Sequence, residues 1–213
     1  MLLFIQMADF STRLRTQPVQ ARAVQTVEHI LATAAPLLDE VGYDTFNTNI
    51  LAERADVRVR TIYRYFEDKQ TIVLWLAEQM YERADDSLRK TLDGLADPSQ
   101  PWRDAIDEVI TDYFRTMSNT AGWVAIRRAL QAVPGLDEIR KQTVARHTGW
   151  VADALIARGI NASNAHAWTI AAAAFAAASA MIAPAVRGNA RQRNAFAEEM
   201  RILVHSYLAH YLD

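Results

Sequence analysis

Cysteine is absent from this 213-residue chain, and glycine and proline are scarce, with seven and six residues. Without thiols the chain forms no disulfides and offers no thiolate ligand to a metal, which is typical of proteins in a reducing compartment. Few glycines and prolines, with little alternation of β-branched residues, favour helices over strands. A hydrophobic fraction of 51% provides ample core. We therefore expect an all-α chain.

Patterns that carry catalysis or hold cofactors are also missing. The five histidines are scattered, and no two stand four residues apart with a glutamate to hold zinc. The sequence contains no Gly-rich phosphate loop, no nucleophile elbow and no cysteine nucleophile. It therefore predicts neither an enzyme nor a cofactor or metal site.

The formal net charge of −2 conceals a local pattern. Between Phe10 and Tyr65 there are seven arginines and six acidic residues. Four of these arginines fall within one short stretch: Arg54, Arg58, Arg60 and Arg64. A local basic cluster on a mildly acidic chain is typical of a specific DNA-binding protein with a separate second domain.

Two short helical patterns joined by a tight turn contain this cluster. The first covers residues 48–55, and Asn47 before it can cap its free N–H groups. The second covers residues 59–66, with Ile62 and Phe66 on an inner face and arginine on the outer face. The pattern predicts a helix-turn-helix whose second helix can lie in a major groove.

This stretch resembles the DNA-binding motif of the TetR/AcrR family of bacterial transcriptional regulators, which reads roughly F-x-T-x-x-I-A-x-x-A-G-V-S-x-G-x-[LI]-Y-x-[YH]-F-x-x-K. The residues in register are Phe46, Thr48, Leu51, Ala52, Ala55, Val57, Ile62, Tyr63, Tyr65, Phe66 and Lys69. Three positions depart: the turn glycine is Asp56, the capping serine is Arg58 and the next glycine is Arg60. Because Asp tolerates a left-handed turn, we expect the turn to survive. The three departures leave the operator sequence open more than they affect DNA binding.

The resemblance implies which residues contact DNA. Phosphate contacts are expected from Thr48, Tyr63, Tyr65 and Lys69, and base contacts from Val59, Arg60, Thr61 and Arg64. Arg58 adds a cation at the start of the second helix, where an anionic partner would favour it.

Helical patterns continue to the end of the chain. A first helix over residues 19–41 precedes the motif and a long helix over 68–95 follows it; the later ones cover about 102–119, 121–132, 136–159, 163–186 and 190–212. We expect a flexible arm over 1–18, a helix-turn-helix domain over 19–66 and a second helical domain over 67–213. The first eight residues are too short for a secretory signal, and Met7 is an alternative start.

The last two predicted helices carry apolar faces. Residues 167–186 are long enough to span a bilayer, but alanine partitions weakly into lipid, so a close helix–helix interface is the better interpretation and no membrane is expected. In the resembled family the last two helices pair with their copies. The expected homodimer interface contains Ala172, Phe175, Phe196, Met200, Leu203 and Tyr207; the alternative is that both faces pack only within the monomer.

The middle helices are rich in aromatic residues and methionine. In the resembled family this region encloses a cavity for a small molecule, and such a wall suits an apolar ligand. The expected wall residues are Tyr113, Trp123, His147 and Trp150, although spacing does not distinguish a cavity wall from ordinary core.

The resemblance therefore implies a homodimeric regulator that binds double-stranded DNA. It would be cytoplasmic and associated with the bacterial nucleoid, a repressor released from a palindromic operator by a small, largely apolar effector. The alternative is a helical protein-docking module that has lost its DNA affinity. Salt-dependent binding to duplex DNA separates the two.

Overall fold

A computed structural model describes residues 14–16, 18–133 and 135–213. All regular structure in these ranges is helical, which confirms the expected fold class. The helices are α1 (Ala21–Thr45), α2 (Thr48–Arg54), α3 (Val59–Tyr65), α4 (Lys69–Ala96), α5 (Trp102–Ser118), α6 (Trp123–Ala132), α7 (Asp137–Arg158), α8 (Asn164–Arg187) and α9 (Ala190–Leu212). The predicted arm over residues 1–18 lies almost entirely outside the described residues.

Four of the helices, α2, α4, α8 and α9, begin where a side chain accepts a free N–H group. The Asn47 carboxamide accepts the N–H groups of Asn49 and Ile50, and the Asp68 carboxylate accepts the N–H of Thr71 at 2.8 Å. Inside α1 the backbone leaves helical geometry at Gly42, where φ is 73°. Because a positive φ suits glycine, this residue ends the regular part of α1.

The chain divides into two compact units, each with its own core. The first contains the described residues of Met1–Gln79 together with Ala121–Asp137, and the second contains Met80–Thr120 and Glu138–Asp213. These units differ from the predicted domains: the boundary falls inside α4, and α6 belongs to the first unit. The reason is that α6 packs against α1.

The core of the first unit lies among α1, α2 and α3. Its fully buried side chains include Ile30, Leu38, Phe46, Leu51, Ile62 and Phe66. These residues come from the inner faces that helical spacing assigns to each helix, so the outer face of α3 is left to solvent.

The core of the second unit includes the packing of α8 against α9, with α5 in contact with both. By length and composition α8 is apolar enough to cross a membrane. Its buried residues are Ala167, Ile170, Ala171, Ala174, Ile182 and Ala185. The small size of the four alanines lets α9 approach closely, in agreement with the helix–helix interface expected from the alanine bias.

Replacing Gly122 with alanine should destabilise the first unit. The φ of Gly122 is 70°, and a Cβ there would lie 2.6 Å from the backbone oxygen of Ala35 on α1. Left-handed geometry alone costs alanine about 1–2 kcal/mol, and the clash adds to it. Urea denaturation should show a lower free energy of unfolding with an unchanged m value.

Gly149→Ala is the matched control. Gly149 lies inside α7, and a Cβ there meets nothing within 4 Å. Alanine should stabilise this site by about 0.5–1 kcal/mol. Equal effects of the two substitutions would show that the Gly122 contact with α1 does not constrain the fold.

Candidate DNA-binding surface and internal cavity

The turn between α2 and α3 keeps the geometry of a helix-turn-helix despite its unusual residues. Asp56 adopts a φ of 51°, which confirms that aspartate occupies the left-handed position. The N–H of Val57 donates to the Ala52 carbonyl at 3.0 Å. His29 on α1 donates from Nε2 to the Ala55 carbonyl at 2.9 Å. These bonds fix the direction in which α3 leaves the turn.

The outer face of α3 is cationic. Arg58, Arg60 and Arg64 are exposed, and among the residues that the structure describes none of the three has a carboxylate within ion-pair distance. By contrast, Arg54 on α2 forms a two-point ion pair with Glu40, at 2.8 and 3.1 Å. The arginine cluster therefore divides into one internally neutralised cation and three that remain available to an anion.

Val59 and Thr61 are partly buried on α3, between the exposed arginines. Tyr63 is 44% exposed, and its hydroxyl lies 3.0 Å from the Thr48 hydroxyl. This hydrogen bond joins the start of α2 to the outer face of α3. Thr48 is itself buried, so of the two only Tyr63 offers side-chain surface to a phosphate.

Tyr65 requires a correction. Only 3% of the residue is exposed, so its ring belongs to the core and not to the surface available to DNA. Its carbonyl accepts the backbone N–H of Arg15 at 3.0 Å. Next to it Leu14 is buried, which places the exposed Arg15 side chain beside the C-terminal end of α3.

Lys69 also has a role that its sequence position does not reveal. Its ammonium donates to the backbone carbonyl of Tyr43 at 2.9 Å and lies 4.3 Å from the centre of the Tyr43 ring. The charge is thus bound by the end of α1. Lys69 therefore stabilises the free protein, in addition to any contact that it makes with phosphate.

Lys69→Ala should lower the melting temperature of the free protein because it removes the partner of a carbonyl and a cation–π contact. The free energy of unfolding should fall by about 1–2 kcal/mol. Arg60→Ala is the control, since exposed residues without partners change stability by no more than about 0.5 kcal/mol. If both variants melt like the parent in calorimetry, the contact with Tyr43 contributes nothing.

The second unit contains a small apolar cavity of about 60 Å³ that is partly open to solvent. Its wall includes Leu88 of α4, Ile110 and Tyr113 of α5, Phe175 and Ile182 of α8, and Met200 of α9. Of the four predicted wall residues, Tyr113 is in this wall. Trp123 lies elsewhere, in the first unit, where it is buried and the guanidinium of Arg127 is 4.8 Å from its ring.

His147 lies directly behind the cavity wall. Its ring is 5.9 Å from that of Tyr113 and 5.7 Å from that of Phe175, centre to centre. Its Nε2 lies 2.5 Å from the carboxylate of Asp85, which also accepts hydrogen bonds from Arg146 at 2.9 and 3.1 Å. Burial raises the pKa of Asp85, but the bonds from His147 and Arg146 outweigh burial and hold that pKa below its ordinary value.

Trp150 is half-buried beside His147, with ring centres 5.6 Å apart. The guanidinium of Arg89 lies 4.5 Å from its ring. Tyr113, His147 and Trp150 therefore lie close together. Tyr113 is in the cavity wall, and the other two stand behind or beside it.

The predicted dimer residues fall into two groups. Met200 forms part of the cavity wall and is only 2% exposed, so it does not belong to the expected dimer surface. Phe175 also forms part of the cavity wall but is partly exposed. Ala172, Phe196 and Tyr207 are partly exposed, and Leu203 is 38% exposed. Sequence reasoning missed Trp168 on α8 and Ile202 on α9, whose exposed fractions are 48% and 51%.

Two models of known protein families match this chain, one in its N-terminal part and one in its C-terminal part. Residues 30–75 match the model of the tetR family of bacterial regulatory proteins, and residues 101–208 match that of the tetracyclin repressor-like C-terminal domain, which alone covers half of the chain. A search of curated proteins found no match.

Solved structures share the fold. A proposed TetR-family regulator from Mesorhizobium loti has 18% identity and a TM-score of 0.73, covering 90% of this chain and 99% of its own. A TetR-family regulator from Streptomyces coelicolor has 25% identity and a TM-score of 0.59, covering 87% and 99%. A TetR variant from Acinetobacter baumannii in complex with minocycline has 20% identity and a TM-score of 0.55, covering 86% and 94%.

The N-terminal match contains the helix-turn-helix and its exposed arginines. The C-terminal match contains the cavity wall except Leu88, together with α8 and most of α9. With both parts matched in order along one chain, the protein belongs to the tetR family of bacterial regulatory proteins, which are DNA-binding transcriptional regulators.

Proposed function

We propose that this protein is a homodimeric repressor that binds a palindromic operator and is released from it by a small, largely apolar effector. It would act in the cytoplasm, at the bacterial nucleoid. The observation that carries the proposal is the outer face of α3, where Arg58, Arg60 and Arg64 have no carboxylate partner among the described residues.

The electrostatics of α3 support DNA as the partner. Arg58 stands at the N-cap of α3 without a side-chain capping bond, and a cation near a helix N-terminus is disfavoured by the helix dipole. A phosphate or a guanine edge would reverse that cost. Arg60 and Arg64 project from a helix whose other face is fully buried, so they are held in one direction, as base reading requires.

The cavity supports an effector. Its wall is apolar, but at about 60 Å³ it is smaller than ordinary ligand pockets, which hold roughly 300–1,000 Å³. A larger molecule that is fully enclosed in it moves wall residues such as Leu88 of α4. Because α4 is one helix from Lys69 to Ala96 and begins directly after the DNA-binding motif, such movement can favour a state with lower operator affinity. The regulator from Acinetobacter baumannii was solved with minocycline bound.

The exposed apolar side chains of α8 and α9 support a homodimer. Trp168, Ile202 and Leu203 are each more than a third exposed in the single chain. Apolar surface of this kind is expected to mark an association site. A two-fold dimer would present two α3 helices to two half-sites, which explains the expectation of a palindrome.

Arg60→Ala should weaken binding to the tightest duplex that the protein selects from a random library. The binding free energy should weaken by about 1–3 kcal/mol, and the preference at one base pair in each half-site should relax. Arg54→Ala is the matched control, because Arg54 is already neutralised by Glu40; its binding should equal that of the parent. Fluorescence anisotropy at several salt concentrations measures both.

The same titration separates the two functions considered from the sequence. The affinity of a DNA-binding regulator falls steeply as the salt concentration rises. A plot of the logarithm of the association constant against the logarithm of the salt concentration has a slope of about −0.9 per phosphate contact. Absence of salt-dependent duplex binding by the parent would favour the protein-docking module. Equal affinity of the parent and Arg60→Ala would move base reading to another residue.

Leu203→Arg should convert the dimer into soluble monomers, since a charge would be buried without a partner in the interface. Tyr207→Arg should act in the same direction. Val144→Arg is the control: Val144 on α7 is 37% exposed, close to the 38% of Leu203, but it lies outside the proposed interface. Sedimentation velocity gives the mass; an unchanged dimer in both α9 variants would place the interface elsewhere.

A further inference from the structure

His147 is a polar side chain enclosed by aromatic rings in the second unit. It is only 1% exposed, and the rings of Tyr113, Trp150 and Phe175 lie 5.9, 5.6 and 5.7 Å from it. Its Nε2 has a partner in Asp85, but its Nδ1 is buried without a hydrogen-bond partner. A buried polar atom without a partner costs free energy, so its presence calls for an explanation.

The contact with Asp85 determines what Nδ1 can bind. A carboxylate only accepts hydrogen bonds, so Nε2 carries the hydrogen and donates it. Arg146 already balances the charge of Asp85, at 2.9 Å. A second proton on the ring would bury a cationic N–H without an acceptor, which costs more than an unused lone pair. In the neutral tautomer that donates from Nε2 to Asp85, Nδ1 is an acceptor.

Two of the enclosing rings connect His147 with the cavity. Tyr113 and Phe175 contact the imidazole on one side and form part of the cavity wall on the other. A cavity that accepts benzene is about 150 Å³, whereas this one is about 60 Å³. An aromatic molecule that is fully enclosed here must move wall residues, and displacement of either ring brings the molecule next to the imidazole.

We propose that the effector is an aromatic or otherwise apolar molecule with one hydrogen-bond donor, a hydroxyl or an N–H, and that this donor binds Nδ1 of His147. The inference rests on the proposed function, in which this cavity receives the effector. The apolar wall provides most of the affinity. The donor provides selectivity, because a ligand without one leaves Nδ1 without a partner.

Two pairs of probes of matched size test the proposal: phenol against toluene, and anisole against ethylbenzene. Phenol offers a donor where toluene has a methyl group, while anisole adds only an acceptor. Isothermal titration should show phenol binding about three- to tenfold more tightly than toluene, the range that one hydrogen bond provides. Anisole should bind no better than ethylbenzene. In the ¹⁵N spectrum of the histidine-labelled protein, phenol should shift the unprotonated Nδ1 of His147.

Variants locate the donor's partner. His147→Gln keeps an amide N–H in the place of Nε2, and thus the contact with Asp85, but has no acceptor at the position of Nδ1, because its carbonyl oxygen is attached at another point. It should abolish the preference for phenol over toluene. Ser179→Ala is the matched control. Ser179 is the hydroxyl-bearing residue of α8 in the cavity wall, and its removal should leave the preference intact.

Several results would overturn the proposal. Equal affinity for phenol and toluene would show that a ligand's donor forms no hydrogen bond with Nδ1. Tighter binding of anisole than of ethylbenzene would show that Nδ1 carries a hydrogen. Loss of the preference in Ser179→Ala would transfer the role to Ser179. Binding of none of the probes would exclude the cavity as an aromatic site. If toluene and phenol bind equally and both release the protein from DNA, the proposed function stands and only the role of His147 is lost.

Discussion

The burial of one face of α3 is the constraint on which the DNA-binding surface depends. A helix of seven residues does not persist in water by itself, because nucleation costs more than so few hydrogen bonds return. Ile62 and Phe66 are fully buried and pack in the same core as Phe46 and Leu51. Tertiary packing therefore holds α3 in place, and the direction of Arg60 follows from it. The charged residues of the outer face need contribute nothing to the fold.

Much of the first unit could be predicted from local sequence. Helical spacing and the caps at Asn47 and Asp68 place the helices within about two residues of their positions in the structure, except that α1 continues past Gly42 to Thr45. Tyr65 was assigned to DNA by resemblance, although it stands three residues after Ile62 and so on the same inner face; spacing was the better guide. No local pattern could have connected Lys69 with Tyr43, because their contact spans 26 residues.

The helices of the second unit could be predicted from the sequence, but the residues that line its cavity could not. Tryptophan at positions 123 and 150 looks alike in sequence, yet the structure assigns α6 to the first unit and α7 almost entirely to the second. Helical spacing identifies an apolar stripe without identifying what covers it, so Met200 and Leu203 were grouped together. In the structure Met200 lines a cavity and Leu203 faces solvent. The hydrogen bond between His147 and Asp85 joins residues 62 apart in the chain, beyond any local signal.

The membership of α6 in the first unit has a consequence for how the protein is made. A ribosome that has released residues up to Gln79 has not yet produced α6, whose Ile126 and Leu130 are almost fully buried. The apolar side of α1 that α6 covers stays open until more than fifty further residues have emerged, a stretch that includes α5 of the other unit. The DNA-binding unit therefore cannot finish folding before much of its neighbour has been translated. A chimaera joined at the end of the helix-turn-helix would need the donor's α6 as well as its first three helices.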